Sequence, residues 1–105
     1  MDLAELTFGK AKTLEGTIFR VELPDGESLS LKLDEVLPYE SRQRRRTRGT
    51  TPKRDPFSLY FLGPVQPILP QAIYTFRSEA TTFDQLFIVP IGQDEESTEY
   101  EAVFT

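Results

Sequence analysis

A dense cluster of positive charge is the feature of this sequence most suited to chemistry. The stretch SRQRRRTRGTTPKRDP, residues 41–56, carries seven basic side chains: Arg42, Arg44, Arg45, Arg46, Arg48, Lys53 and Arg54. Held close together, such side chains repel one another unless phosphate or carboxylate groups lie among them. Arg outnumbers Lys here, which favours bidentate contacts with either anion. We therefore predict that these seven residues bind an acidic partner.

The rest of the chain has the opposite charge. The 105 residues carry a formal net charge of −5, but residues 39–56 contain seven basic and two acidic side chains and are at +5. The remainder, with five basic and fifteen acidic side chains, is at −10. The basic segment has no apolar periodicity and is longer than most connections, which predicts a flexible loop at 39–56. Two other interpretations stay open, a solvated loop without a partner and a loop docked on the acidic body.

The remaining residue types argue against an enzyme. The chain has no His and no Cys, which excludes thiol nucleophiles, histidine bases and zinc sites with nitrogen or sulfur ligands. Asp34 and Glu35 are adjacent, so a strand would point them to opposite faces. The acidic run at 94–99 lacks the spacing of a calcium loop. We predict no catalytic residue, no metal ligand and no cofactor.

Alternating apolar residues predict strands that would carry the basic segment. Phe19, Val21 and Leu23 alternate with polar residues, as do Leu29, Leu31 and Leu33, and the PDG sequence at 24–26 between them predicts a hairpin turn. The alternation breaks at Glu35, where we expect a bulge or the end of a strand. Four further strands are predicted within PFSLYFLGP, AIYTFRSE, TFDQLFIVPIG and EYEAVFT.

The sequence also predicts features of the fifth strand, of the proline-rich loop and of a short N-terminal helix. In the fifth strand, Phe83, Gln85, Phe87 and Val89 are predicted to share one face, with Pro90 ending the pairing or lying at an edge. The proline-rich stretch GPVQPILPQ is predicted to be a stiff crossing loop whose carbonyl groups Gln71 could satisfy. Asp2 and Glu5 resemble a capping pair for a short helix that ends near Gly9.

Together these elements predict one mainly β domain over residues 1–105. Six antiparallel strands would form a small barrel or a compact sandwich with a short N-terminal helix, since closure removes exposed strand edges. No apolar run is long enough for a membrane span, and the start shows no signal-peptide pattern. The protein is therefore expected to fold first in the cytoplasm, and it could later join an assembled or exported particle.

The second half of the chain resembles a family of small bacterial proteins without a known function. The resemblance is carried by PFSLYFLGP, LPQAIYTF, LFIVPIG and YEAVF, which match the pattern F-S-L-x-F-x-G-P, L-P-Q-x-x-Y, V-P-x-G and Y-E-A-V-F. Members of this family are often encoded beside proteins similar to phage tail-collar proteins. The resemblance implies a role in a phage-tail-like or surface-fibre assembly, and it implies no catalytic residues.

These observations favour a non-enzymatic protein-interaction module. It would be a structural or assembly component whose Arg-rich loop contacts an acidic partner protein. The alternative is a small β-barrel that binds nucleic acid through the same loop. Single-strand binders usually interleave aromatic and basic side chains, whereas this segment has only Tyr39 at its edge.

Overall fold

The structure, a computed structural model, describes residues 6–38 and 56–104, which form a closed six-stranded antiparallel β-barrel and one short helix. The helix is α1 (Phe8–Lys12), and the strands are β1 (Ile18–Glu22), β2 (Ser28–Pro38), β3 (Phe57–Gly63), β4 (Ala72–Arg77), β5 (Thr82–Gln93) and β6 (Thr98–Phe104). The strand order is β1-β2-β3-β6-β5-β4, and β4 pairs with β1 to close the barrel. The mainly β prediction is confirmed, and of its two forms the barrel is the one observed. A membrane-crossing helix is absent from these described ranges.

The seams of the barrel differ greatly in length. Strands β3 and β6 pair along their whole lengths, from Phe57–Phe104 to Gly63–Thr98. Strands β1 and β4 pair at two positions, Arg20–Arg77 and Val21–Phe76. The β1–β4 seam that closes the barrel is therefore its shortest.

Aromatic rings fill the interior. Phe19 lies at the centre, stacked on Phe83 with ring centroids 5.1 Å apart and edge-on to Phe61 and Phe76. At one end, Phe57 and Phe104 stack at 5.0 Å. Side chains predicted to face inward from the first two strands and the last are buried: Phe19, Val21, Leu31, Leu33, Tyr100, Ala102 and Phe104.

The helix begins later than predicted. Thr7 is its N-cap, and its hydroxyl accepts a hydrogen bond from the Lys10 backbone N–H at 3.2 Å. Leu6 precedes the helix and Gly9 lies inside it, so the prediction of a helix that ends near Gly9 is wrong. The expected capping residues Asp2 and Glu5 lie outside the described residues. The helix forms at 8–12 because Phe8 and Ala11 then pack on the barrel, with Phe8 edge-on to Phe57 at 6.2 Å.

Bulges set which side chains face the interior. The break predicted at Glu35 is confirmed, since the β2–β3 register shifts between Leu33 and Glu35. A second shift was not predicted: Phe76 pairs with Phe83 but Tyr74 pairs with Leu86, which adds one residue to β5. An extra residue reverses the alternation beyond it.

The bulge in β5 corrects the predicted face of that strand. Phe83 is buried, but Leu86 and Ile88 then face inward while Gln85 and Phe87 face outward. The prediction that Phe83, Gln85, Phe87 and Val89 share one face is therefore wrong. The strand also continues through Pro90 to Gln93, and there it pairs with β6 alone, so Pro90 lies on an edge as one of the two alternatives expected.

Candidate functional site

The seven predicted partner-binding residues all lie outside the described part of the chain. These are Arg42, Arg44, Arg45, Arg46, Arg48, Lys53 and Arg54, and their role stays a prediction. The structure does describe the strands on either side of them. Pro38, the last residue of β2, pairs with Phe57, the first residue of β3. The strand ends on either side of the basic segment therefore lie next to each other.

The described barrel is strongly acidic. Residues 6–38 and 56–104 contain five Lys or Arg and thirteen Asp or Glu, a formal net charge of −8. The basic segment is thus attached to a body of opposite sign. A polyanion that reached the segment would be repelled by the barrel wall, whereas a partner with a local acidic patch would be repelled less.

Apolar side chains lie on the outer wall next to the point of attachment. Leu37, Ser58 and Val103 are neighbours across β2, β3 and β6. Leu37 and Val103 are 39% and 44% exposed, while Ser58 between them is buried. Among residues 6–38 and 56–104, none provides a hydrogen-bond partner for Ser58 Oγ. A buried hydroxyl without a partner is unusual on an outer wall, because water would normally satisfy it.

Further exposed apolar side chains lie on the neighbouring strands. Ile73 and Phe87 form a cross-strand pair between β4 and β5, with exposures of 61% and 48%. The last paired positions of β5 and β6 on this side are Val89 and Glu101. Phe87 and Val103 each lie two residues beyond them, and both face outward. We call Leu37, Val103, Phe87 and Ile73 the apolar outer row.

Carboxylates border the apolar outer row. Glu35, Tyr60 and Glu101 are neighbours across β2, β3 and β6. Glu35 and Glu101 lie two residues along their strands from Leu37 and Val103. The Tyr60 hydroxyl donates a hydrogen bond of 2.9 Å to Glu101 Oε2. An apolar centre with a charged border is the usual composition of a protein–protein contact surface.

The acidic run after β5 forms a turn. Asp94 Oδ1 accepts hydrogen bonds from the backbone N–H groups of Glu96 and Ser97 at 2.8 and 2.9 Å. These bonds lower the pKa of Asp94, because they stabilise its ionised form. Its carboxylate is thus engaged by its own turn. Across the described ranges, no three acidic side chains come together as a metal site would require.

The proline-rich crossing between β3 and β4 is fixed to the barrel by one buried and one partly buried hydrogen bond. The Leu69 N–H donates to the Tyr100 hydroxyl at 2.9 Å, and the Tyr74 hydroxyl donates to the Pro70 carbonyl at 2.8 Å. Burial raises the pKa of Tyr74. Another loop carbonyl, that of Val65, accepts from Gln93 Nε2 at 2.7 Å, whereas none of the described residues forms a hydrogen bond with the Gln71 side chain. The expectation for Gln71 is therefore wrong, because Gln93 lies directly beside the loop.

A second outer-wall feature could not be found from the sequence. Ser30, Arg20, Arg77 and Thr82 are successive partners across β2, β1, β4 and β5. The alternation in each strand places Arg20 and Arg77 outside the barrel. Their pairing depends on the β1–β4 closure, which joins residues 57 positions apart in sequence and leaves no local signal. Two guanidinium groups and two hydroxyls thus lie on one line across the wall.

Comparison with known proteins gives a family and no function. The search of curated proteins returned no match, and neither did the search of solved structures. A family model described as "Domain of unknown function (DUF6916)" matches residues 6–104, nearly the whole chain and the entire barrel. The protein belongs to this family of unknown function.

Proposed function

We propose that the protein is a non-enzymatic protein-interaction module. In this proposal it is a structural or assembly component of a phage-tail-like or surface-fibre system, and its Arg-rich segment contacts an acidic partner protein. The assembly context comes from the resemblance of the sequence motifs. The main support for the binding role is the position of the apolar outer row. It lies beside the ends of the strands that flank the seven basic residues.

Exposed apolar groups of this kind favour contact with another protein. Side chains of Ile73 and Phe87, each about half exposed, form a cross-strand pair that contributes little to the core. Adjacent apolar groups on a soluble domain usually mark a site of interaction. Arg is enriched and aromatic residues are frequent in such interfaces. The apolar outer row would supply buried area, and the Arg-rich segment would supply charge pairing and orientation.

Nucleic acid is the second candidate because the same seven basic side chains could neutralise phosphates. The net charge of −8 on the described barrel opposes it, since a phosphate backbone longer than the segment would meet acidic wall. The two candidates differ in salt dependence. Binding through phosphates weakens steeply with salt through counterion release, whereas an interface with an apolar centre retains most of its affinity.

The test is recovery of partners by the tagged full-length chain from its native host, after nuclease treatment. The variant Arg44→Ser/Arg45→Ser/Arg46→Ser removes charge from the segment, and Ile73→Ser/Phe87→Ser removes the centre of the apolar outer row. We expect one protein to be recovered by the wild type and lost in both variants. If the wild type recovers partners only when the nuclease is omitted, that result would favour nucleic acid instead.

Matched controls separate a specific contact from general effects. Lys10→Ser/Lys32→Ser removes positive charge from two exposed sites on α1 and β2. Ile68→Ser/Ile91→Ser removes two apolar side chains that are 44% and 47% exposed outside the apolar outer row. Both controls should recover the same partner as the wild type. If they lose it equally, the proposal fails, since neither segment nor row would then be distinguished from the rest of the surface.

A further inference from the structure

An open groove crosses the wall at the seam between β1 and β4. It has a volume of about 490 Å³, and it is lined by Ser30, Arg20, Arg77 and Thr82 together with Ile18 and Glu79. The four aligned residues belong to four successive strands. Neighbouring strands are about 4.8 Å apart, so the line is about 14 Å long and its two Arg side chains start one strand spacing apart.

The positive charges of Arg20 and Arg77 on this line are only partly neutralised. Like charges at directly opposite positions of a sheet destabilise each other. Arg77 is partly compensated, because its Nε donates to Glu22 Oε2 at 2.5 Å. Among the described residues, none forms an ion pair or a side-chain hydrogen bond with Arg20. The guanidinium of Arg20 and the outer nitrogens of Arg77 are thus available to a shared anion.

The donors suit an oxyanion with more than two oxygen atoms. Each guanidinium presents a planar fork that binds two oxygens, and the hydroxyls of Ser30 and Thr82 lie beyond the forks at either end. A carboxylate has two oxygens and cannot occupy both forks bidentately. A phosphate or sulfate group has enough oxygens, and its tetrahedral shape allows forks to approach from two sides.

The lining of the groove also limits the kind of chemical group to which the anion can be attached. Glu79 on its side repels an extended polyanion, since the excess positive charge of the lining is small. Ile18 lies on the same side of the Arg20–Arg77 pair as Glu79, because β1 and β4 are antiparallel, and with 57% exposure it offers an apolar surface there. The composition fits a compact ligand with one oxyanion and an apolar or neutral remainder.

We propose that the groove between Arg20 and Arg77 is a binding site for a small phosphate or sulfate ester. The oxyanion lies between the two guanidinium groups, with the Ser30 and Thr82 hydroxyls at the ends of the line, and the ester group packs against Ile18. Glu22 holds Arg77 in position and competes with the ligand for its Nε. None of the lining residues belongs to the Arg-rich segment, and the proposal does not depend on the proposed interaction role.

The test is a titration of the full-length, 15N-labelled chain followed by NMR at constant ionic strength. Inorganic phosphate, inorganic sulfate, phenyl phosphate and acetate are the probes. We expect the amides of Ser30, Arg20, Arg77 and Thr82 to shift together with phosphate and with sulfate and to saturate with one dissociation constant. Phenyl phosphate should bind more tightly than inorganic phosphate because its ring covers Ile18. If acetate binds as tightly as phosphate, the assignment of a tetrahedral oxyanion is overturned.

Variants connect the shifts to the two Arg side chains. Arg20→Gln should weaken phosphate binding by about tenfold, the effect of losing one charge-assisted bidentate contact. Arg20→Lys keeps the charge but not the fork, and it should weaken binding less. Glu22→Gln should tighten binding, because it removes the negative charge that competes with the ligand for Arg77 while Gln Oε1 can still accept from Nε. A merely structural role for the Arg77–Glu22 pair would not produce that gain.

The Arg-rich segment also attracts anions and needs its own control. In Arg44→Ser/Arg45→Ser/Arg46→Ser the shifts at the four aligned residues should persist with an unchanged dissociation constant. Lys10→Gln, an exposed charge on α1, should likewise change nothing. The proposal is overturned if the four amides do not shift, or if their shifts vanish in the triple variant and survive in Arg20→Gln.

Discussion

At the scale of single residues, Gly63 has the least room for a side chain among the glycines that the structure describes. It lies at the end of β3, and a Cβ built on it would be 2.2 Å from Leu31 Cδ2 and 3.4 Å from Tyr100 Cε1. Leu31 is fully buried, so it cannot move aside into solvent. We expect Gly63→Ala to lower the free energy of unfolding by about 1–3 kcal/mol, the usual cost of overpacking a core, as measured by urea denaturation.

The control for this prediction is Gly92→Ala. Gly92 is in β5, and its added Cβ would meet nothing within 4 Å, so the change should be small. The double variant Gly63→Ala/Leu31→Val should be less destabilised than the sum of its single changes, because the shorter side chain relieves the clash. Equal destabilisation by the two glycine variants would contradict the packing explanation.

Residue-level contacts were predictable only where they follow from alternation. The inward side chains of β1, β2 and β6 were identified because a half-buried strand has a period of two. The restriction at Gly63 was not, since Leu31 comes from another strand and the sequence does not give the register between them. The same reason explains why Gln93 rather than Gln71 serves the proline-rich loop, and why the Arg20–Arg77 pair went unpredicted.

At the scale of elements, one carboxylate connects the N-terminal helix to the barrel. Glu15 follows α1, and its Oε2 accepts hydrogen bonds from Lys12 Nζ at 2.9 Å and from the Val36 N–H at 2.8 Å. Lys12 Nζ also donates to the Val36 carbonyl at 3.1 Å. The bond from Lys12 and then that from Val36 lower the pKa of Glu15 below its ordinary value of 4.5, because they favour the ionised form.

A lowered pKa gives the sign of the pH dependence. The stabilisation from Glu15 is fully present above the unfolded-state pKa, near 4.5, and is lost as pH falls through the lower folded-state pKa. Glu15→Gln should therefore be less stable than the wild type at neutral pH, and the difference should narrow on acidification below 4.5. Urea midpoints measured across this range test it.

The control is Glu27→Gln in the β1–β2 turn, where the side chain is exposed and the turn is fixed by Asp25 accepting from the Glu27 N–H. Glu27→Gln should differ little in stability from the wild type at neutral pH. A difference between Glu15→Gln and the wild type that does not change with pH would mean that the carboxylate does not connect α1 to β2.

The elements themselves were largely predictable, and their errors share a cause. All six strands, the hairpin turn at Gly26 and the bulge at Glu35 follow from apolar alternation and turn chemistry. The face of β5 did not, because its bulge is imposed by pairing with Tyr74 and Phe76 on β4. The helix bounds also shifted, since packing of Phe8 on Phe57 outweighs a capping pattern.

At the scale of the whole molecule, closure of the barrel depends on pairing between strands that are far apart in sequence. The number of strands and the aromatic content favour a closed sheet, but the order β1-β2-β3-β6-β5-β4 requires two strands far apart in sequence, β1 and β4, to meet. Closure also creates the groove between Arg20 and Arg77. The weakest seam and the most distinctive polar feature of the barrel wall are therefore at the same place.

The short β1–β4 seam should open before the rest of the barrel. Only Arg20–Arg77 and Val21–Phe76 join these strands, while β3 and β6 pair throughout, so local opening at the seam breaks few ladder hydrogen bonds. Native-state hydrogen exchange should show β3 and β6 amides exchanging by global unfolding, with a strong dependence on denaturant. Amides that bridge β1 and β4 should exchange faster and with little dependence on denaturant.

Phosphate provides an internal check on this prediction. An anion bound between Arg20 and Arg77 stabilises only the closed seam, so it should slow exchange at β1 and β4 more than at β3 and β6. The effect should disappear in Arg20→Gln, whereas exchange at β3 and β6 should stay the same. Equal protection of all four strands in the absence of ligand would show that the seam opens only when the whole barrel unfolds.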